Sequence, residues 1–90
     1  MKIEQTLSFK KSCKKLHANQ KKDLDEAVRT ISKNPQIGQQ KKGDLSEVRV
    51  YKFKMANLLM LLAYTWDEDI QRMTLLKLGS HENFYRDLSH

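Results

Sequence analysis

The stretch Leu58-Leu-Met-Leu-Leu-Ala-Tyr-Thr-Trp-Asp-Glu-Asp69 decides the fold predicted for this chain. Its first nine residues are almost continuously apolar, which is typical of a strand covered on both faces. A run of this kind is also compatible with a buried helix, but its short length and the acidic turn that ends it favour a strand. The sequence therefore predicts a central strand over residues 58–66.

Strand-like segments flank this central strand on both sides. Residues 46–54 alternate, which places Arg49, Tyr51 and Phe53 together on one face of the predicted sheet. Residues 70–78 form the second arm of an antiparallel hairpin, and the glycine that follows is expected to end it. We expect one face of the sheet to stay partly open, with the three named side chains lying on it.

The N-terminal half has helical periodicity. A first helix is predicted to start at Ser8, and a second covers residues 19–33, where Pro35 stops it. A weakly alternating segment over residues 3–7 precedes them, and a polar loop over 36–44 follows. The predicted order is β-α-α-β-β-β-α. This order defines an α+β fold in which a helical hairpin packs on one face of a small antiparallel sheet, as a single domain over residues 1–90.

The positive charge of the chain is unevenly distributed. Residues 1–42 carry eleven Lys and Arg against four acidic residues, whereas residues 43–90 carry six against seven, for a net charge of +6. This asymmetry favours a polyanionic or acidic partner. For any single lysine, a place on the solvated face of a helix is the better explanation.

Composition also excludes several classes of protein. No apolar run is long enough to span a membrane, and the N-terminus lacks the apolar stretch of a signal peptide. One cysteine and three scattered histidines give no metal-ligand spacing. We therefore expect a soluble cytoplasmic protein with no membrane partner, no metal and no cofactor.

The C-terminal segment carries the most distinctive pair of side chains. If Ser80 caps a short final helix, His81 and Tyr85 are spaced i and i+4 and lie on one helix face. The imidazole titrates near neutral pH and suits proton transfer. The alternative is that His81 is simply a surface residue at the start of a helix, and that Tyr85 packs in the core.

In its length, its basic charge, its element order and two short motifs, the chain resembles toxins of the RelE/ParE superfamily from bacterial type II toxin-antitoxin pairs. The resemblance is carried by Gly43-Asp-Leu-Ser-Glu-Val-Arg49 and by Leu78-Gly-Ser-His-Glu-Asn-Phe-Tyr85. It implies a RelE-like fold and an antitoxin partner. It also implies one of two activities: metal-independent cleavage of mRNA on the ribosome, or poisoning of DNA gyrase without nuclease chemistry.

We expect the endoribonuclease, because a gyrase poison has no need for a paired histidine and tyrosine. A small basic binding module without toxicity is a third possibility. The resemblance implies that His81 is the general acid or base, that Tyr85 stacks on a base or assists at the scissile phosphate, and that Arg49 clamps the phosphate.

Lysines complete the site that the resemblance implies. Lys52 and Lys54 are expected to act as phosphate cations, with Lys52 as an alternative general base. The remaining lysines expected to hold RNA lie on the first helix: Lys10, Lys11 and Lys14. One departure is that residues 55–59 offer no cation where RelE-like nucleases place an arginine or histidine, so the phosphate site is less charged than the family pattern.

Overall fold

The computed structural model describes residues 1–41 and 47–81. A short strand and two helices come first, and four strands follow. In chain order the elements are β1 (Lys2–Gln5), α1 (Leu7–Lys14), α2 (Ala18–Lys33), β2 (Gln39–Gln40), β3 (Arg49–Met55), β4 (Leu58–Asp67) and β5 (Arg72–Ser80). This arrangement confirms the predicted α+β class. The predicted final helix lies outside the described residues.

The five strands form one sheet in the order β1-β5-β4-β3-β2, so the apolar run at β4 is the central strand, as predicted. The strands β2 to β5 pair in antiparallel fashion, whereas β1 runs parallel to β5. The expectation of a purely antiparallel sheet was therefore wrong at this edge. A parallel pair needs a long connection, and the two helices with the intervening strands provide it.

Element ends differ from the sequence prediction where a local contact decides them. The first helix begins after Thr6, not at Ser8, because the Thr6 hydroxyl accepts a hydrogen bond from the N–H of Phe9 over 3.1 Å. Gly79 does not end β5, since it pairs with Leu61 of the long central strand. Ser80 is accordingly the last residue of β5, and the final helix that it was predicted to cap lies outside the described residues.

The helices cover one face of the sheet and enclose the main core. The side chains of Ile31, Leu62 and Met73 are fully buried there. Tyr51 and Phe53 pack against the same core, and their rings stack with centroids 6.0 Å apart. Their predicted place on the open face was therefore wrong. The predicted alternation along residues 46–54 was correct, but an alternating pattern does not determine which of the two faces the helices cover.

A smaller apolar cluster occupies the face of the sheet away from the helices. Val50, Leu61 and Ala63 are buried there, and Val48 and Leu76 pack against them. The middle of this face is therefore apolar and buried, and exposed lysines beside it leave the face partly open, as predicted. No helix in the described part of the chain is long and apolar enough to cross a membrane.

The phenol of Tyr64 ties the end of α2 to the centre of the sheet. Its hydroxyl donates to the carbonyl of Pro35 over 2.7 Å and accepts from the N–H of Gly38 over 2.9 Å. A Cβ at Gly38 would lie 2.6 Å from that hydroxyl oxygen, so only glycine allows this approach. Burial is the main cause that raises the pKa of Tyr64 above its usual value.

The β3–β4 turn has strained backbone. Ala56 and Asn57 adopt φ of 50° and 72°, the left-handed conformation that a two-residue hairpin turn requires at both positions. Asp23 of α2 accepts a hydrogen bond from the N–H of Ala56 over 2.8 Å, which ties the turn to the helical layer. Alanine is poorly suited to this conformation, because its Cβ crowds the following carbonyl.

We expect Tyr64→Phe to lower the free energy of unfolding by about 1–3 kcal/mol, because it leaves the buried N–H of Gly38 without its acceptor. Urea denaturation followed by circular dichroism measures this. Tyr51→Phe is the matched control, since the Tyr51 hydroxyl makes no hydrogen bond with a described residue. Equal stability of the two variants would contradict the role given to Tyr64.

Ala56→Gly should raise the free energy of unfolding by about 1 kcal/mol, because glycine adopts positive φ without the steric cost that alanine bears. The midpoint of urea unfolding reports the change. A lower midpoint in the variant would show that this turn is not strained.

Candidate nucleic-acid interface

Three residues stand side by side at one corner of the face that points away from the helices. Lys54 lies opposite Leu59 in the antiparallel register. The N–H of His81, directly after β5, donates to the carbonyl of Leu59 over 3.1 Å. Because residues opposite each other in a sheet share a face, Lys54 and His81 project to the same side. Strand spacing places their backbones about 10 Å apart.

A second row of residues lies next to the first. Lys52 is opposite Leu61, which is in turn opposite Gly79. Gly79 has no side chain, so Lys52 is the only long polar side chain of this row. Leu61, in the middle of this row, is apolar and only 1% exposed.

Sequence reasoning missed Lys77, a further cation on this face. Lys77 lies opposite Ala63, and Ala63 lies opposite Val50 on the third row. A β-bulge between Ala63 and Tyr64 shifts the register, so that alternation counted from Leu75 would place Lys77 on the helical side. Only the strand pairing reveals its true face. We call Lys52, Lys54, Lys77 and His81 the cationic face.

Three of these side chains are accessible to a ligand. Lys52, Lys54 and His81 are exposed, and none of them forms an ion pair with a carboxylate of residues 1–41 or 47–81. The positive charge of the two lysines is therefore not neutralised by any described acidic side chain. This arrangement suits a polyanion such as a phosphate backbone.

Arg49 lies on the other face of the sheet. It is opposite Tyr64, and its Nη1 donates to the carbonyls of Gln36 and Gly38 over 3.2 and 3.0 Å. Side chains alternate along β3, so Arg49 cannot share a face with Lys52. The predicted phosphate clamp requires Arg49 and His81 to lie on the same face. The structure places them on opposite faces.

The surroundings of Arg49 are also acidic. It lines a cavity of about 640 Å³ together with four carboxylate side chains: Glu47, Asp67, Glu68 and Asp69. A phosphate placed there would be repelled by these charges. We therefore interpret Arg49 as a residue that holds the segment after α2.

The lysines predicted to hold RNA form a separate basic surface. Lys10, Lys11 and Lys14 are all exposed on α1, which packs against β5 on the helical side. The sheet lies between them and the cationic face. A ligand that reaches both surfaces has to pass around an edge of the sheet.

Two further predictions concern Tyr85 and the absence of a metal site. Tyr85 lies outside the described residues, so its role stays a prediction. Among the described residues, no three His, Cys, Asp or Glu side chains lie close enough to hold a metal ion. His17 is the N-cap residue of α2, and its N–H donates to Gln20 Oε1 over 2.8 Å.

Comparison with known proteins defines the class. A family model described as the ParE-like toxin of type II bacterial toxin-antitoxin systems matches residues 3–89. No curated protein sequence matches this chain. Among solved structures, the YoeB/ParE toxin from Agrobacterium tumefaciens superposes with a TM-score of 0.71 at 18% identity, over 90% of this chain and 99% of that one.

Two structures from E. coli have the same fold. A chain of the intact E. coli RelBE toxin-antitoxin complex gives a TM-score of 0.70 at 16% identity, covering 88% of this chain and 94% of that chain. The isolated E. coli RelE toxin gives 0.69 at 15% identity, with 98% and 95% covered. At these identities the likeness concerns the fold alone.

The family match extends over nearly the whole chain, so this protein belongs to the ParE-like toxin family of type II bacterial toxin-antitoxin systems. It is a toxin of the RelE/ParE superfamily, as the sequence resemblance implied. The partner that this class implies is an antitoxin protein.

We expect Arg49→Ala to lower the free energy of unfolding by about 1–2 kcal/mol, because the carbonyls of Gln36 and Gly38 lose a charged donor. Thermal and urea unfolding measure this. Arg49→Lys keeps the charge but not the forked geometry, and should recover only part of the loss. If Arg49→Ala were as stable as the parent chain, Arg49 would not be a structural residue.

Proposed function

We propose that this toxin is a metal-independent, ribosome-dependent mRNA endonuclease whose site is the cationic face. The observation that carries the proposal is that Lys52 and Lys54 of β3 lie on the same side of the sheet as His81, which follows β5 across the central strand. All three are exposed, and none is ion-paired with a described carboxylate. Two lysine cations and an imidazole that can donate or accept a proton are the kinds of group that phosphodiester cleavage needs.

The chemistry requires three acts on the RNA. A base removes the proton of the 2′-hydroxyl, the resulting oxygen attacks the adjacent phosphorus, and the 5′-oxygen leaves with a proton from an acid. The P–O5′ bond breaks as the P–O2′ bond forms, so a 2′,3′-cyclic phosphate and a 5′-hydroxyl result. Because RNA has the 2′-hydroxyl and DNA does not, this chemistry restricts the substrate to RNA.

The positions of the residues suggest a division of roles. His81 serves as the general acid or base at the corner of the sheet, and Lys54 lies across Leu59 from it. Lys52 and Lys54, two residues apart on one strand, neutralise the charge that grows on the phosphate oxygens. Tyr85 is expected to assist beside His81, on the strength of the family resemblance.

Dependence on the ribosome follows from the small number of cations at the site. Lys52 and Lys54 alone give limited affinity for a free RNA strand, since each phosphate contact adds only part of the binding energy. A ribosome that already holds the mRNA in place supplies the orientation. Lys10, Lys11 and Lys14, on the opposite side of the sheet, then contact rRNA, and the protein acts in the cytoplasm.

A second candidate function is poisoning of DNA gyrase without nuclease chemistry. The observation that favours it is that residues 55–59, at the start of the central strand, carry no cation for a phosphate. Under this alternative His81 has no chemical role.

We expect Lys52→Ala and His81→Ala, made separately, to reduce mRNA cleavage by about 10²–10⁴-fold each, as loss of an acid, base or charge stabiliser does. The measurement is 5′-end mapping of transcripts after induction in a bacterium. Lys22→Ala is the matched control, because Lys22 is an exposed lysine on α2.

The same cultures are assayed for gyrase-linked DNA breaks. Cuts within translated frames that disappear in both site variants and persist in Lys22→Ala would support the endonuclease. Undiminished cleavage in both site variants would exclude the proposed site. Double-strand DNA breaks with intact transcripts would instead establish the gyrase poison.

A further inference from the structure

The strand β1 lies at one edge of the sheet. Among the described strands it pairs with β5 alone. The N–H groups of Lys2 and Thr6 donate to Gln71 and Leu75 of the β5 side, so the even-numbered residues face inward. Backbone groups alternate along a strand, and the N–H and C=O of Ile3 and Gln5 therefore point outward.

This edge also exposes apolar side chains. Met1 and Ile3 are 58% and 41% exposed. Beside them lies a cavity of about 340 Å³ between β1 and the helices, lined by Ile3, Gln5, Phe9, Cys13 and Val28 among others. An unpaired edge with exposed apolar residues is a site at which another strand can add.

The charges on β1 are self-complementary. Lys2 and Glu4 flank Ile3 and lie on the face opposite to it, because side chains alternate. Within one chain, the Glu4 carboxylate is 3.6 Å from both Lys2 Nζ and Arg72 Nε. An antiparallel strand of the same sequence, centred on Ile3, places Lys2 of each copy directly opposite Glu4 of the other.

We propose that β1 is a homodimer interface, in which two copies pair antiparallel about a two-fold axis at Ile3. The two Ile3 residues exchange both backbone hydrogen bonds, since their N–H and C=O point outward. Lys2 and Glu4 form two ion pairs across the axis. The two five-stranded sheets then join into one continuous sheet.

The same register gives the cavity an occupant. Residues whose numbers sum to six face each other, so Met1 of the second copy lies opposite Gln5, on the helical side. Its flexible side chain comes beside the cavity that Gln5 and Ile3 line, and methionine suits irregular gaps of this kind. This interface does not depend on the proposed nuclease activity.

The dimer should be weak. A four-residue strand buries less area than standard interfaces, and two chains of net charge +6 repel each other. We expect a dissociation constant on the order of 100 µM at 0.15 M salt. Sedimentation equilibrium measures it, and the NMR signals of the Ile3 and Gln5 amides should shift with concentration.

Charge reversal tests the register. Lys2→Glu and Glu4→Lys each place like charges opposite one another, and each should weaken self-association about tenfold or more. An equimolar mixture of the two variants restores opposite charges at both pairs, and should recover an affinity within about threefold of the parent chain. Lys2→Glu also lowers the net positive charge, which reduces the general repulsion between two copies. A loss of affinity in this variant therefore cannot be caused by that repulsion.

The control pair is Lys22→Glu and Glu26→Lys, two exposed residues of α2 with the same charge changes. The affinity of self-association in their mixture should not exceed the average of the affinities of the two variants. Thermal unfolding checks that each variant is folded. A parent chain that remains monomeric at 1 mM, or a Lys2→Glu and Glu4→Lys mixture that does not recover, would overturn the proposal.

Discussion

The hydroxyl of Tyr64 is the contact that joins the two halves of the fold. It is fully buried in the central strand and bonds both the carbonyl of Pro35 and the N–H of Gly38. These two bonds hold the chain where it leaves α2, so that the short strand over residues 39–40 can pair with β3. Arg49, directly opposite Tyr64, binds the same segment from the next strand. Without this connection the helical layer and the sheet would be linked mainly by apolar packing, which has little directional preference.

The sheet divides the protein into two chemically different sides. One side carries the helices, the main core and the α1 lysines, and the other carries a small apolar cluster with the cationic face around it. The division follows from side-chain alternation on β3, which sends Tyr51 and Phe53 to the core and Lys52 and Lys54 away from it. Without this alternation, the positive charges of a basic protein of this size would be distributed over its whole surface. The sheet instead concentrates two lysines and a histidine at one corner.

Several elements could be predicted because they depend on local chemistry. The second helix, expected over 19–33, runs from Ala18 to Lys33, since its apolar stripe and Pro35 define it. The central strand, expected over 58–66, extends from Leu58 to Asp67. The candidate site was predicted less well. Lys52, Lys54 and His81 do share one side of the sheet, but Arg49 does not join them, and Lys77 was missed because a bulge inverted its face.

The sequence by itself determined the class of fold, the periodicity of each main element and the surplus of positive charge, because these depend on residue type and spacing. The family resemblance also lay in the sequence, in the short motifs over residues 43–49 and 78–85. The tertiary structure alone decided which face the helices cover, which way β1 runs and where the bulge falls. These features depend on contacts between residues far apart in the chain, such as Tyr64 with Gly38, and no local pattern encodes the choice between two faces of a sheet.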